Sequence, residues 1–309
     1  MSGRLIVIAG PTAVGKSACA IGLARLSGGE IVSADAYQCY RRLDIGTAKP
    51  SAEELSMAPH HMINVYDPDQ RISVSDYAER AGKITGEILS RDTDVLLTGG
   101  SGLYIDSIVF SNYDFSSGSP DEEYRKELKE ISDREGPGVL YDLLSTVDPV
   151  YASLTHPNNV KRVIRALEYH HATGEKMSSA RKEKIPRFPD TSYFVLSLDR
   201  EFLYPRIDAR VNRMMEEGLL GEVKELYSIY HDRTLTSMRA IGYAELIGYI
   251  EGETDLADAV DRIKQHSRNY AKRQYTWFRS VPGSILITLS PDMDGDDISK
   301  VITERLNNV

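Results

Sequence analysis

A phosphate-binding loop near the start of the sequence offers the clearest chemistry in the chain. Residues 10–17 read GPTAVGKS and match the pattern G-x-x-x-x-G-K-[ST]. Such loops are nucleotide-binding, most often ATP-binding, and they surround phosphate oxygens with backbone amides, a lysine charge and a hydroxyl for Mg²⁺. The motif therefore predicts an anion site made of Gly10, Pro11, Thr12, Ala13, Val14, Gly15, Lys16 and Ser17.

The acid that an ATP-hydrolysing enzyme needs on a neighbouring strand is missing. In a conventional NTPase an apolar strand ends in a carboxylate that helps to hold the metal and the attacking water. The best candidate, DVLLTGG at 94–100, ends in two glycines followed by Ser101. Because nothing evident positions a water molecule, the sequence argues against a motor, a switch or a simple ATPase.

A different strand does end in an acid. The segment EIVSAD at 30–35 predicts a second strand with Asp35 at its carboxyl end, beside the phosphate loop. A carboxylate there can take a proton from an acceptor substrate, or it can cap the following turn. Ser101 is open to the same two interpretations, as a substrate contact or as a turn residue.

The elements around these residues predict an α/β fold with a parallel, P-loop NTPase-like sheet. Apolar runs predict strands at 4–10, 30–35, 60–68, 94–100, 191–200 and 284–290, and helical patterns follow several of them. Residues 121–184 are helical in pattern, and the turn-rich segment 111–121 marks a boundary. We therefore predict a catalytic core of residues 1–114 and 191–309, interrupted by a helical insertion domain at 115–190.

Composition excludes several classes of protein. The chain has 309 residues, of which 41% are hydrophobic and 27% charged, as in ordinary globular proteins. It has no apolar run long enough to span a membrane, and its first apolar run leads into the phosphate loop, as a core strand does. Two cysteines are too few for a disulfide framework or a zinc site. We expect a cytoplasmic, monomeric enzyme.

The distribution of charge suggests a specific polyanionic partner. The net charge of −9 argues against indiscriminate nucleic-acid binding. Two basic blocks nevertheless stand out, at 161–187 and at 262–279, and the second contains no acidic residue. They are either two solvated helix faces or contacts with a nucleic acid.

Several motifs, in their order along the chain, resemble those of the tRNA dimethylallyltransferases, the delta-2-isopentenyl-pyrophosphate transferases of tRNA. The likeness covers nearly the whole chain and is most specific in DIGTAKP (44–50) and AKRQYTWFR (271–279). With both cysteines near the N-terminus, the chain resembles the compact bacterial members rather than those with a C-terminal zinc finger. The other matching motifs are GPTAVGKS (10–17), SADAYQCYRRL (33–43), APHHMINVYDP (58–68), GGSGLYIDS (99–107), VDPVYASLTHPNNVKRVIRALE (147–168), DREFLYPRIDARVNRMMEEGL (199–219) and MRAIGYAE (238–245).

The resemblance implies a reaction and gives the loop a different ligand. The family transfers a dimethylallyl group from dimethylallyl diphosphate to the exocyclic amine of the adenine 3′ of the tRNA anticodon and releases diphosphate. The loop then holds the leaving diphosphate instead of ATP, with Mg²⁺ on Ser17 as cofactor. Lys16 and Arg210 stabilise the negative charge that grows on the leaving diphosphate. Arg206, one helical turn before Arg210, either binds the same diphosphate or forms a surface ion pair. Asp35 takes the proton of the amine.

The resemblance also implies contacts with the anticodon stem-loop of tRNA, whose adenine must leave the stack to react. Ala36, Tyr37 and Ser101 depart from the usual family residues at positions that the resemblance places beside the acceptor. The residues that the resemblance assigns to tRNA are Asp35, Ala36, Tyr37, Gln38, Ser101, Arg125, Lys161, Arg162, Val163, Ile164, Arg165, Arg239, Gly242 and Tyr243.

Four further residues could bind a base or a metal, or could be structural. For Tyr104 and Trp277 we favour core packing over base stacking, and for His60 and His61 a structural role over metal binding. Three alternative functions stay open: an isopentenyltransferase acting on free AMP or ADP, a small-molecule kinase that uses the loop for ATP, and a non-catalytic RNA-binding protein. The last of these leaves Lys16, Ser17 and Asp35 without a role.

Overall fold

A computed structural model describes residues 3–111, 121–179 and 185–307. By its contacts the chain divides into two compact units, one formed by residues 1–109 and 186–309 and the other by residues 110–185. The boundaries predicted from sequence, 114/115 and 190/191, each lie five residues further along the chain. Most of the turn-rich segment 111–121 and the basic residues Arg181, Lys182 and Lys184 lie outside the described residues.

The first unit is built on a six-stranded sheet in which every pairing is parallel. The strand order is β3-β2-β4-β1-β5-β6, so β1, which leads into the phosphate loop, lies in the interior of the sheet. Its side chains are fully buried, as expected for a strand covered by helices on both faces. The strands are β1 Leu5–Ala9, β2 Glu30–Ser33, β3 His60–His61, β4 Val95–Gly99, β5 Thr191–Ser197 and β6 Ile285–Thr288.

Helices cover the sheet, and two of the apolar clusters formed by the described residues lie within the first unit. One cluster packs α1 and α13 against the strands, and the other lies among α9, α10, α11 and α12. Within the described residues, no helix is both long enough and apolar enough to cross a bilayer. The helices are α1 Lys16–Ser27, α2 Ala52–Met57, α3 Val74–Leu89, α4 Gly102–Val109, α9 Arg200–Glu216, α10 Leu219–Tyr230, α11 Tyr243–Ile250, α12 Leu256–Phe278 and α13 Gly295–Asn307.

The predicted parallel α/β core is confirmed, but the third strand is much shorter than the sequence suggested. Only His60–His61 pair with β2, whereas the apolar pattern extended to residue 68. Met62 and Asn64 have positive φ angles of 63° and 55°, which an extended strand does not accommodate. The chain therefore leaves the sheet after two residues.

The loop that contains the DIGTAKP segment, residues 44–50, is held by Glu222 on α10. The carboxylate of Glu222 accepts hydrogen bonds from the amides of Asp44, Ile45 and Gly46 at 3.0, 2.8 and 3.1 Å, and from the hydroxyl of Tyr243. These contacts fix the DIGTAKP segment, one of the two most specific motifs in the chain.

The second unit consists of helices around one small core. Its helices are α5 Glu122–Glu135, α6 Pro137–Val147, α7 Pro149–Ser153 and α8 Val160–Thr173. Leu128, Leu140, Leu144 and Leu167 are among its buried residues. The described part of the predicted insertion is thus helical, without a strand.

We predict that Gly46→Ala destabilises the protein by about 2–3 kcal/mol, because a Cβ atom there would lie 2.4 Å from the ring of buried Tyr243. The control is Gly86→Ala in α3, where a Cβ meets nothing within 4 Å. That change should stabilise the protein by up to about 1 kcal/mol, since alanine favours helix. Urea unfolding measures both, and equal midpoints for the two variants would contradict the prediction.

Candidate functional site

Three loops meet at the carboxyl edge of the sheet because their strands pair in register. β1 and β2 both pair with β4, and the phosphate loop follows β1, while Asp35 and Ser101 closely follow β2 and β4. The amide of Ser101 donates to the carbonyl of Ala34 at 3.2 Å, and Ser101 Oγ accepts from the amide of Ala36 at 3.2 Å. The structure therefore joins the loops after β2 and β4 on either side of Asp35.

The phosphate loop is shaped for an anion. Ala13 and Gly15 have positive φ angles of 63° and 106°, and left-handed residues of this kind curl backbone amides around a negatively charged group. α1 begins at Lys16, with no side-chain hydrogen bond to its N-terminus from any described residue and no acid in its first turn. Its first amides are thus free to bind phosphate oxygens.

Two cations share the space above this loop with one carboxylate. Lys16 Nζ donates to the carbonyl of Pro11 at 2.8 Å, and Arg210 Nη1 donates to Thr12 Oγ1 at 3.4 Å. Desolvation, together with repulsion from Arg210, lowers the pKa of Lys16 to about 7, while Asp35 opposes the shift. Desolvation also lowers the pKa of Arg210. The site therefore suits a ligand with more than one negative charge.

Asp35 uses one oxygen for the fold and keeps the other available. Its Oδ1 accepts from the amides of Tyr37 at 2.9 Å and Gln38 at 3.3 Å. No donor among residues 3–111, 121–179 and 185–307 bonds to Oδ2. Both interpretations of Asp35 are thus compatible with the structure, because one oxygen caps the turn and the other can accept a proton.

Two cavities lie at this edge and share Thr12, Asp35, Arg210 and Tyr270 in their walls. One is polar and is lined further by Lys16, Ser17, Ser33, Gln38, Thr98, Gly100, His60 and Gln274. The other has a volume of about 310 Å³, large enough for a small-molecule ligand. Its walls include Ile207, Val211, Met214, Ile263, Arg239, Arg273, Ala36, Tyr37, Ser101 and Gly242.

Gln38 lines the polar cavity, but its side-chain amide is already used by the protein. Its Oε1 accepts from Ser33 Oγ at 3.0 Å, and its Nε2 donates to the carbonyls of Thr47 and Ala48 at 3.3 and 3.2 Å. The residue therefore ties the DIGTAKP segment to β2. The base contact that the resemblance assigned to it would require these bonds to be exchanged.

Two other predicted residues of the first unit lie away from the cavities. Arg206 is on the same helix as Arg210, but its Nη2 donates to the carbonyl of Pro291 at 2.6 Å. Spacing by four residues predicts a shared helix face and does not fix which neighbour a long side chain reaches. Tyr243 is completely buried against Gly46 and Glu222, so its side chain belongs to the core and not to an RNA surface.

In the second unit the predicted tRNA contacts divide into exposed and buried residues. Lys161 and Arg162 are exposed and Arg165 is half-buried. Val163 and Ile164 are core residues of α8, so the expectation of RNA contact through their side chains is wrong. Their place within a matching motif reflects helix packing.

Arg125 is committed to an ion pair within the second unit. Its Nε and Nη2 donate to the two carboxylate oxygens of buried Glu168 at 2.7 and 3.0 Å. Removing either partner would leave the other charge poorly compensated. The structure thus gives Arg125 a role in holding α5 to α8. The RNA contact expected from sequence stays a prediction.

The aromatic residues considered for base stacking and the histidines considered for metal binding all contact other residues of the protein. Tyr104 is buried and stacks on Tyr77 with ring centroids 4.1 Å apart, which confirms core packing. Trp277 packs over Gly102 but remains 38% exposed. His60 Nδ1 bonds to the carbonyl of Ala58 and His61 Nε2 to Glu30. No group of three or more His, Cys, Asp or Glu suited to a metal occurs in the described part of the chain.

Sequence reasoning missed the residues of α12 that reach the site. Tyr270 and Gln274 lie one helical turn apart, and both donate to the carbonyl of Gly100, at 3.2 and 3.0 Å. Gln274 belongs to the AKRQYTWFR motif and Tyr270 directly precedes it, in a segment that the sequence singled out for its basic charge. The available signal was the spacing of two uncharged polar residues on the inner face of an otherwise basic helix.

Comparison with known proteins agrees with the motifs. A family model described as IPP transferase matches residues 38–281. A tRNA dimethylallyltransferase of Oceanobacillus iheyensis is 41% identical over 305 residues, covering 98% of this chain and 97% of that protein. The crystal structure of the full-length tRNA isopentenylpyrophosphate transferase from Bacillus halodurans has 38% identity and a TM-score of 0.71, covering 99% and 97% of the two chains.

A eukaryotic protein is also similar in structure. It is described as a dimethylallyltransferase acting on tRNA, with 29% identity and a TM-score of 0.81. The match covers 99% of this chain and 77% of the eukaryotic one. The similarity to solved structures thus extends along the whole chain.

We predict that pyrophosphate binding at pH 8 is coupled to proton uptake by Lys16. With a pKa of about 7 the free amine is largely neutral at pH 8, and a bound anion favours its charged form. Calorimetry in buffers of different ionisation enthalpy measures the uptake. Lys16→Arg is the control because arginine stays charged, so protons taken up by this variant go to pyrophosphate alone. Wild type should take up more protons than Lys16→Arg at pH 8 and the same number at pH 6. Equal proton uptake by the two proteins at pH 8 would contradict the coupling to Lys16.

Proposed function

Because the chain belongs to the IPP transferase family, we propose that it is a tRNA dimethylallyltransferase. It transfers a dimethylallyl group from dimethylallyl diphosphate to the exocyclic amine of the adenine 3′ of the anticodon and releases diphosphate. The observation that carries the proposal is the pairing of Lys16 and Arg210 with Asp35 in the walls of one cavity. Two cations suit the leaving diphosphate, and the acid suits an amine that must lose a proton.

The leaving group occupies the phosphate loop. As the bond between the allylic carbon and the diphosphate oxygen breaks, its electron pair stays on that oxygen and negative charge grows there. The first amides of α1, Lys16 and Arg210 stabilise this charge, and they are already in place before the reaction. Apolar side chains of the adjoining cavity, Ile207, Val211 and Ile263, suit the dimethylallyl group.

The acceptor adenine enters from the side of Asp35 and Ser101. Its exocyclic nitrogen forms a bond to the allylic carbon, and one amine proton passes to Asp35 Oδ2. The Oδ1 bonds to the turn hold the carboxylate in place for this transfer. Ser101 supports the same geometry, since its Oγ bonds the amide of Ala36 beside the acid.

The donor set near the loop fits Mg²⁺, which prefers oxygen ligands and usually keeps phosphate oxygens and water in its coordination shell. Ser17 would hold the ion through its hydroxyl, and Asp35 lines the same cavity. When bound, Mg²⁺ neutralises charge on the diphosphate. Lys16 and Arg210 supply the remaining positive charge from the protein.

Contacts with the anticodon stem-loop come from basic residues that are exposed. Arg239 and Arg273 line the larger cavity, and Lys161 and Arg162 are exposed on α8 of the second unit. Such residues bind the RNA backbone and position the substrate without reading its sequence. We place the activity in the cytoplasm because its substrate is tRNA. The monomeric state stays a prediction.

The assay that tests the proposal uses purified protein, Mg²⁺ and labelled dimethylallyl diphosphate, with unmodified tRNA, AMP or buffer alone as the alternative acceptors. A parallel reaction contains ATP in place of dimethylallyl diphosphate. We predict that label enters tRNA only, at the adenine 3′ of the anticodon. Label in AMP would indicate the free-nucleotide transferase instead. Turnover of ATP without transfer of label would indicate the kinase, and tRNA binding without either reaction would indicate an RNA-binding protein.

We predict that Asp35→Asn lowers the single-turnover rate by about 10² to 10⁴-fold while the Kd for tRNA changes little. Asparagine keeps an oxygen that can accept the amides of the turn, so the loop is preserved, but it cannot take the proton. Rapid quench measures the rate, and filter binding measures the Kd. Parallel losses in both would show that Asp35 binds RNA instead of acting as the base.

A further inference from the structure

We propose that Gln274 is a positioning residue that fixes the separation between the leaving-group site and the acceptor site. The inference rests on the proposed function, because it concerns the geometry of that transfer. Gln274 lies on α12 and is only 3% exposed. Its side chain joins the phosphate loop to the loop after β4, the two segments between which the allylic carbon must lie.

The side-chain amide of Gln274 is used at both ends. Its Oε1 accepts from the amide of Thr12 at 2.9 Å, and its Nε2 donates to the carbonyl of Gly100 at 3.0 Å. Only a group that accepts at one end and donates at the other can bridge an N–H and a C=O in this way. A longer or shorter side chain would place one of its ends out of hydrogen-bond range.

The loop after β4 is shaped to receive this bridge. A Cβ atom on Gly100 would lie 2.2 Å from Gln274 Nε2, so the close approach requires glycine. Tyr270, one turn earlier on α12, donates to the same carbonyl at 3.2 Å. One turn later, Trp277 packs over Gly102. A single face of α12 thus contacts Gly100 and Gly102 of the GGSG turn, residues 99–102.

From Gly100 the connection continues to the base. Ser101 follows directly, its Oγ accepts from the amide of Ala36, and Ala36 adjoins Asp35. A short path of hydrogen bonds and peptide bonds therefore runs from the phosphate loop through Gln274 to the acid. No other side chain in the described residues bonds to both the phosphate loop and the GGSG turn.

This bridge matters because displacement at carbon depends steeply on geometry. The amine must approach the allylic carbon opposite the departing oxygen, and a misplacement of about 1 Å costs on the order of 10²-fold in rate. Gln274 also occupies the Thr12 amide. The amides left for the diphosphate are then those further along the loop, toward Lys16.

The test compares Gln274→Met, which removes both hydrogen bonds, with Gln274→Glu, which keeps size and acceptor but loses the donor above its pKa. Gln70→Glu is the matched control, because Gln70 is exposed and its Oε1 accepts from the amide of Asp67, a bond that a carboxylate also makes. Single-turnover rates at saturating enzyme are measured from pH 6 to 8 and divided by the wild-type rate. Kd values for tRNA and pyrophosphate are measured alongside.

For Gln274→Met we expect a rate about 10²-fold below wild type at every pH, with both Kd values nearly unchanged. For Gln274→Glu the relative rate should rise as the pH falls, because a protonated carboxyl both accepts and donates, and burial raises its pKa. Lys16, Asp35, Arg210 and Tyr270 face the same cavity, and division by the wild-type rate removes their titration. Gln70→Glu should match wild type throughout.

Any of three results would overturn the proposal. The first is a rate for Gln274→Met within about threefold of wild type, a much smaller loss than misplacement would cause. The second is a relative rate for Gln274→Glu that does not rise at low pH, and the third is a loss of affinity for tRNA or pyrophosphate as large as the loss in rate. If wild type itself fails to modify tRNA, the proposed function fails instead, so the two failures are distinguishable.

Discussion

The site depends on the electrostatic repulsion between two cations that share one cavity with a single carboxylate. Lys16 and Arg210 repel each other and are both desolvated, and Asp35 compensates them only in part. Such an arrangement is costly without a ligand and becomes favourable when a multiply charged anion enters. A diphosphate gains negative charge as it leaves with its electron pair, so the two cations bind it most strongly in the transition state. Stabilisation that is stronger in the transition state than in the ground state accelerates the reaction.

The remainder of the first unit holds these charges in place. The parallel sheet delivers the phosphate loop, Asp35 and Ser101 to one edge, and α9 adds Arg210. Side chains from distant parts of the chain then fix the loops. Glu222 binds three successive amides of the DIGTAKP segment, and Gln274 bridges the phosphate loop to the turn after β4.

Local patterns made much of this predictable from sequence. The phosphate loop and Asp35 are recognisable because glycine spacing and the end of an apolar strand are properties of a few adjacent residues. The bonds made by Gln274 and Glu222 were not recognisable, since their partners lie 262 and about 178 positions away. The spacing of Tyr270 and Gln274 marks a polar helix face but does not identify what that face contacts. Matching motifs alone did not separate exposed Lys161 from buried Val163, because a motif retains core and surface residues alike.

The central claim, that the loop holds a leaving diphosphate and not a nucleotide, is tested most directly by competition binding. The probe is dimethylallyl thiolodiphosphate, an unreactive analogue of the substrate, bound to wild type and to Lys16→Met in the presence of Mg²⁺. We predict that pyrophosphate displaces the probe from wild type and that a non-hydrolysable ATP analogue at the same concentration does not. Lys16→Met should fail to bind the probe. Displacement by the ATP analogue as effective as that by pyrophosphate would contradict the central claim.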